Sequence, residues 1–272
     1  MVVCSLGDLT LDVAVRLAGP IATGGDTDAE IRLGPGGQAA NVAAWVAALG
    51  GNARFVGKRG DDDAGRFAGA GLEDRGVEVR GPVAGRNGVI CSLVSPEGER
   101  SMASDRGAAA TLRADEIDPA WLASCEHLFI SGYALLVEPA RSAALHAVEL
   151  ARSDGAAVSV DLASWSALQE AGVEEFRRAL TALRPDVVFA NEDEDRIFGG
   201  PLPDAIWILK RAARGCSFAG EERAARAVER VVDSTGAGDA LAAGWIVGGP
   251  QLALEAAARC VQQLGSMPPL DG

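Results

Sequence analysis

Lysine is almost missing from this chain: Lys58 and Lys210 are the only two in 272 residues. Aromatic side chains are sparse at 5%, with a single tyrosine. Positive charge is outnumbered, 25 Lys and Arg against 38 Asp and Glu, giving a formal net charge of −13. Nucleic-acid binding wants a basic face, so this balance excludes that class of partner. It does not exclude a nucleotide, because a local glycine-rich loop binds phosphate on an acidic protein. No run of 18 uncharged apolar residues exists, so no membrane span is expected. The most apolar stretch, 240–254, is cut by Gly248-Gly249-Pro250. The five cysteines form no CxxC pair and their number is odd, which predicts reduced thiols in a cytoplasmic protein. Residues 1–12 carry no basic segment and meet Asp8 early, so no secretory leader is expected.

What is present is apolar residue, 48% of the chain, enough for the core of one large α/β domain or two modest ones. Core strands are expected at 2–6, 53–57, 127–132, 157–161, 186–191, 206–209, 215–219 and 228–232. Helices are expected up to Leu49, at 61–75, 111–123, 139–153 and 174–184, and through the 240s, 250s and 260s. Segments 9–15 and 30–33 and the hairpin 89–103 alternate apolar with polar, so they read as half-exposed strands of a flap. Alternating β and α predicts a mostly parallel central sheet with helices on both faces. A single domain, 1–272, is expected, with the flap strands drawn from about 9–34 and 87–105.

The stretch Asp233-Ser234-Thr235-Gly236-Ala237-Gly238-Asp239 carries the most chemistry. Apolar Val231-Val232 precedes it and the apolar run 240–247 follows, so it reads as strand, glycine-rich turn, helix. The first N–H groups of a helix have no internal partner and sit at the positive end of its dipole. Gly236, Ala237 and Gly238 therefore form a candidate anion hole. An Asp in that first turn repels anions. Asp239 makes sense as the acceptor of a proton from a nucleophile attacking a phosphorus held by the loop. The plain alternative is a turn whose Asp caps the helix.

The full string resembles the C-terminal signature of the ribokinase-like (PfkB) carbohydrate kinase family, D-T-x-G-A-G-D, with Ser234 for Thr and Leu241 where Phe is usual. Far upstream, Gly36, Gly37, Asn41 and Ala43 fit the family's G-G-x-x-x-N-x-A. Gly57, Gly60, Asp62 and Gly65 resemble its V-G-x-x-G-x-D-x-x-G. The resemblance covers almost the whole chain. It implies a ribokinase-like α/β fold whose central sheet carries a small β lid over the sugar. It implies ATP- and Mg²⁺-dependent phosphorylation of a hydroxymethyl group on a ribose- or fructose-type sugar, or on a nucleoside, with Asp239 as the base. Asp12 matches the carboxylate that anchors sugar hydroxyls. Gly36, Gly37 and Asn41 match the substrate loop, and Arg106 a position returning from the lid. Asn191 and Glu194 resemble an N-x-x-E motif, Glu194 holding Mg²⁺ through water and Asn191 steering phosphates. Lys210, Gly215 and Thr235 fall on the nucleotide side. A monovalent cation such as K⁺ and a homodimer through the lid are further implications.

Two features depart from the family pattern. Ala212 stands where the T-x-G-x-x-G motif has a nucleotide-contacting Gly. Segment 191–212 has room for little more than one helical turn beside Gly199-Gly200-Pro201. The ATP side is therefore expected to be trimmed, with Lys210 compensating at a phosphate. A non-catalytic sugar- or nucleotide-binding protein is the second reading. A dehydrogenase is the third: Gly34-x-Gly36-x-x-Ala39 fits a dinucleotide fingerprint, with Asp61 or Arg59 near a ribose-reading position. Against it, a strand and a flap come before the loop.

Overall fold

The computed structural model describes residues 1–96, 100–162 and 164–270. The chain starts at β1 (Val2–Leu6), leaves for β2 (Thr10–Leu17) and β3 (Ala29–Gly36), and passes into α1 (Gln38–Ala48). Then follow β4 (Asn52–Val56), α2 (Asp63–Glu73), β5 (Glu78–Arg80), β6 (Asn87–Val94) and β7 (Arg100–Gly107). Three short 3-10 turns lead to β8 (His127–Ser131), α3 (Ala140–Ser153), β9 (Ala157–Asp161), α4 (Trp165–Ala171) and α5 (Val173–Leu183). The last elements are β10 (Val187–Asn191), α6 (Glu192–Phe198), β11 (Ile206–Lys210), β12 (Cys216–Phe218), β13 (Glu221–Arg223) and α7 (Ala237–Cys260).

Nine strands form the main sheet in the order β13-β12-β11-β10-β9-β8-β1-β4-β5, all running one way except β12, which pairs antiparallel with both neighbours. Strands covered on both faces read as unbroken apolar runs, and Leu128-Phe129-Ile130 and Val187-Val188-Phe189-Ala190 do so. One core lies under α1, α2 and α7 and holds Trp45, Phe55, Phe129 and Phe189. The other lies under α3, α5 and α6 and holds Leu6, Leu128, Phe176 and Phe198. The second sheet, β3-β2-β6-β7, comes from 10–36 and 87–107, close to the expected flap. β6 buries alternate residues, whereas β7 lies mostly in solvent.

Four expectations need correction. No strand forms at 228–232: the run carries Glu229 and Arg230, Val231 is exposed, and Val232 N donates to the Val261 carbonyl rather than to a strand. The helix expected at 111–123 is three 3-10 turns, because Arg113 and Asp118 each start a new turn and Pro119 cannot donate to a continuous helix. α4 was not foreseen. Segment 191–212 is roomier than expected, since α6 and the whole of β11 fit within it.

Ala212 does depart from helical geometry at a cost. Its φ is 48°, in the left-handed region that glycine tolerates and alanine does not. Ala212→Gly is expected to stabilise the protein by about 1 kcal/mol by removing the Cβ clash. That corresponds to a rise of about 2–4 °C in melting temperature. Calorimetry checks it; an unchanged or lower Tm would mean that no strain is stored there.

Candidate active site

The strand order reverses around β1. The chain fills β4 and β5 on one side of it and β8 to β11 on the other. Ligands of open α/β sheets bind at such a switch point, beyond the carboxyl ends of the strands. This end collects the polar residues of the site. Asp8 follows β1, and Ser131, Asp161, Asn191 and Lys210 are the last residues of β8, β9, β10 and β11. Two helices start over the same end, α1 after Gly37 and α7 after Gly236.

The two helix starts meet. Asn41 Nδ2, in the first turn of α1, donates to Asp239 Oδ2, in the first turn of α7, at 2.7 Å. Asn41 Oδ1 accepts from the Ser266 hydroxyl at 2.9 Å. Gly236 has φ 79°, and a Cβ there would lie 2.6 Å from the Ser266 Cβ, so glycine is required for the loop to pack so closely. Beneath the loop, Asp233 Oδ1 accepts from Thr235 N at 2.8 Å and from Thr235 Oγ1 at 2.6 Å.

Lys210 projects from β11 under the loop. Its ammonium donates to both oxygens of buried Asp161, at 2.7 and 2.8 Å. A Cβ at Gly238 would lie 3.3 Å from Lys210 Nζ, so the cation sits against the candidate anion hole. Glu194 and Asn191 form a reciprocal cap at the start of α6: Asn191 N and Nδ2 donate to the two carboxylate oxygens, and Glu194 N donates to Asn191 Oδ1. At the small sheet, Thr10 Oγ1 donates to Asp12 Oδ1 at 2.7 Å. A Cβ at Gly36 would lie 2.0 Å from the Asp12 carboxyl carbon, so β3 must carry glycine for this carboxylate to stand where it does. Arg106 pairs with Asp8 at 3.0 Å and lies over the Tyr133 ring. The Ser131 hydroxyl and the Gly132 N–H both donate to Gln38 Oε1, at 2.7 and 3.1 Å.

Burial pushes Asp239 up to about 8, helped by the nearby Asp161 charge and opposed by the Asn41 hydrogen bond and Lys210. Burial likewise pushes Glu194 up to about 7, against the pull of Lys210, and Asp12 up to about 6, against its bond from Thr10. Burial works to lower Lys210, but Asp161 and Glu194 outweigh it and hold the ammonium above its ordinary value. The site thus has one deep cation facing several acids.

The structure brings together Asp239, Gly236, Ala237, Gly238, Asn41 and Lys210, with Asn191 and Glu194 at the next strand end and Asp12 and Gly36 on the small sheet. Other sequence candidates point elsewhere. The Thr235 hydroxyl turns back to Asp233. Gly215 packs against the Arg223 carbonyl; Arg106, by contrast, reaches the site's edge through its pair with Asp8. The Gly34 loop belongs to an antiparallel strand of the small sheet, which does not suit the strand-to-helix crossover of a dinucleotide fold. Sequence reading missed Asp8, Asp161 and Ser266. The first two were detectable as acids at the ends of apolar strands. Ser266 carried no local signal.

Among the described residues no three His, Cys, Asp or Glu side chains cluster as a metal site. Both Glu194 oxygens already accept from Asn191. This donor set fits an ion that keeps its own waters and leans on one carboxylate, as Mg²⁺ does.

The family model described as pfkB family carbohydrate kinase matches residues 2–267. Fructokinase-1 of Zea mays is 31% identical, over 88% of this chain and 80% of its own length. An ATP-dependent ribose-1-phosphate kinase of Halopiger xanaduensis is 32% identical, over 95% of this chain and 90% of its own. Among solved structures, an adenosine kinase from Sinorhizobium meliloti superposes with a TM-score of 0.84 at 23% identity, covering 98% of this chain and 95% of its own; this likeness concerns the fold. With both signature loops joined at one strand end and the family match spanning nearly every residue, the chain belongs to the PfkB family of carbohydrate kinases.

Proposed function

We propose that the chain transfers the terminal phosphoryl group of ATP to a hydroxymethyl group of a ribose- or fructose-type sugar. The observation that carries the reading is the contact between Asn41 and Asp239, which joins the sugar-loop motif to the anion-loop motif across 198 residues. With Oδ2 engaged by Asn41, Asp239 has Oδ1 to receive the proton of the attacking hydroxyl. The backbone N–H groups of Gly236, Ala237 and Gly238 face the charge that develops on the transferring phosphoryl. Lys210 adds a positive charge beneath them. Asp12, held by Thr10, accepts hydrogen bonds from sugar hydroxyls and fixes the ring. Mg²⁺ supplies charge neutralisation across the phosphates when bound with ATP, and Glu194 and Asn191 would hold its water shell. The relatives named as fructokinase and as an ATP-dependent ribose-1-phosphate kinase support this substrate class and donor.

A second acceptor class is favoured by a cavity of about 310 Å³ beyond Asp8 and Arg106, walled by Leu6, Leu112, Tyr133, Leu136 and Val137. Such a wall suits an apolar or aromatic substituent on the sugar, as in a nucleoside. A coupled ADP assay across pentoses, hexoses, ketoses and nucleosides decides between them. ADP release with none of these would sink the kinase reading and leave a binding protein.

Two variants test the roles. Asp239→Asn keeps the size and the partner but cannot take a proton, so turnover is expected to fall by about 10²–10⁴-fold with ATP affinity unchanged or slightly better. Because Asp239 is pushed up to about 8, it must lose a proton to act as base. In the parent, kcat/KM is expected to rise with pH through that value, and the limb should vanish in the variant. Turnover within a few-fold of the parent would return Asp239 to a helix cap. Gly36→Ala places a Cβ on the Asp12 carboxylate, so acceptor affinity is expected to fall by about 1.5–3 kcal/mol, the range for hydrogen bonds to a charged group, while ATP affinity holds. Calorimetry on Gly36→Ala, Asp12→Ala and the double variant checks it. Additive losses would show that the two residues act separately.

A further inference from the structure

We infer that Ser266 is a positioning residue for the base: it acts through Asn41 to hold the Asp239 carboxylate in its working orientation. The inference rests on Asp239 being the base. A carboxylate facing an amide selects its N–H side, so Asn41 turns Nδ2 towards Asp239, at 2.7 Å. Its Oδ1 then faces the interior, where an acceptor without a donor is costly. Ser266 Oγ supplies that donor at 2.9 Å. Asn41 and Ser266 are 5% and 4% exposed, so water does not readily replace the bond.

The segment that carries Ser266 is itself anchored to the loop. Trp45 Nε1 donates to the Ser266 carbonyl at 2.9 Å. Gly265 N donates to Asp233 Oδ2 at 3.0 Å, and Asp233 also holds Thr235, just before the anion hole. The Ser266 Cβ packs on Gly236 so closely that no other residue fits there. Backbone contacts thus fix where Ser266 stands, and its hydroxyl is left for one purpose, the amide of Asn41. Removing the hydroxyl keeps the brace and frees the amide.

Ser266→Ala is the test, measured with the acceptor that gives ADP in the parent. The expected result is a fall in kcat of about 10–100-fold, the scale of a small misplacement of a reacting group. KM for acceptor and ATP should stay within about twofold, and the melting temperature within a few degrees. A role in the fold alone would lower activity in any background, so the decisive arm is the double variant. In Asp239→Asn, adding Ser266→Ala is expected to change kcat by less than about twofold, because the group it positions is gone. An equal loss in both backgrounds, or parental kcat for Ser266→Ala, would overturn the inference. Should the alanine protein not fold, Ser266→Cys fills the same space with a weak donor and is read by the same criteria. Failure of the base assignment looks different: Asp239→Asn itself would then keep near-parental turnover.

Discussion

The pairing of Lys210 with Asp161 sets the electrostatic terms for the whole site. Asp161 is 1% exposed, and no arrangement leaves an isolated carboxylate there without a large desolvation cost. One ammonium answers it, and the same ammonium is the counter-charge for Glu194 and Asp239. A single cation cannot satisfy three acids in a poorly hydrated crevice. Burial, with the unanswered acid charge added to it, makes Asp239 and Glu194 hold their protons more tightly. Incoming phosphates would add negative charge to this crevice, so they must bring their own cations, which fits a metal–nucleotide complex.

The fold delivers this arrangement by topology. Each parallel strand from β8 to β11 ends in a polar residue, and each end lies one strand spacing from the next. Asp161 and Lys210 therefore meet because β9, β10 and β11 are consecutive neighbours in the sheet and Lys210 is long enough to span β10. The helix starts of α1 and α7 come from far apart in sequence but pack over one face, which brings Asn41 to Asp239. The small sheet contributes the remaining wall, with Asp12 seated over Gly36.

Much of this was legible in the sequence because it is written in local patterns. The anion loop, the Gly36-Gly37 motif and each core strand occupy a few consecutive residues. Asp12, Asn41, Asp239 and Glu194 stand on motif positions. The parts that escaped are those decided by partners distant in the chain. Thr235 lies within the strongest motif, yet its hydroxyl is claimed by Asp233. Asn41 stands on a motif, but its bonds to Asp239 and Ser266, far along the chain, leave no local trace. Residues 228–232 have strand propensity, but Val232 N donates to the Val261 carbonyl instead of a strand, and 111–123 has helical composition interrupted by residues that start new turns.

Ser266 and Asp239 are synthesised after Asp8, Asp12 and Asn41. The nascent chain can pair β1 with β4 and β8 once residue 131 has left the ribosome, so this half of the main sheet and the small sheet precede the Gly236 loop. At synthesis rates of about 5–20 residues per second, a partly built molecule exists for many seconds with a formed platform and no chemistry. On the proposed mechanism, reactivity waits for the segment around Ser266 to dock beside Asn41 and Gly236. A chain cut short before Asp239 would carry every strand of both sheets and lack the proposed base.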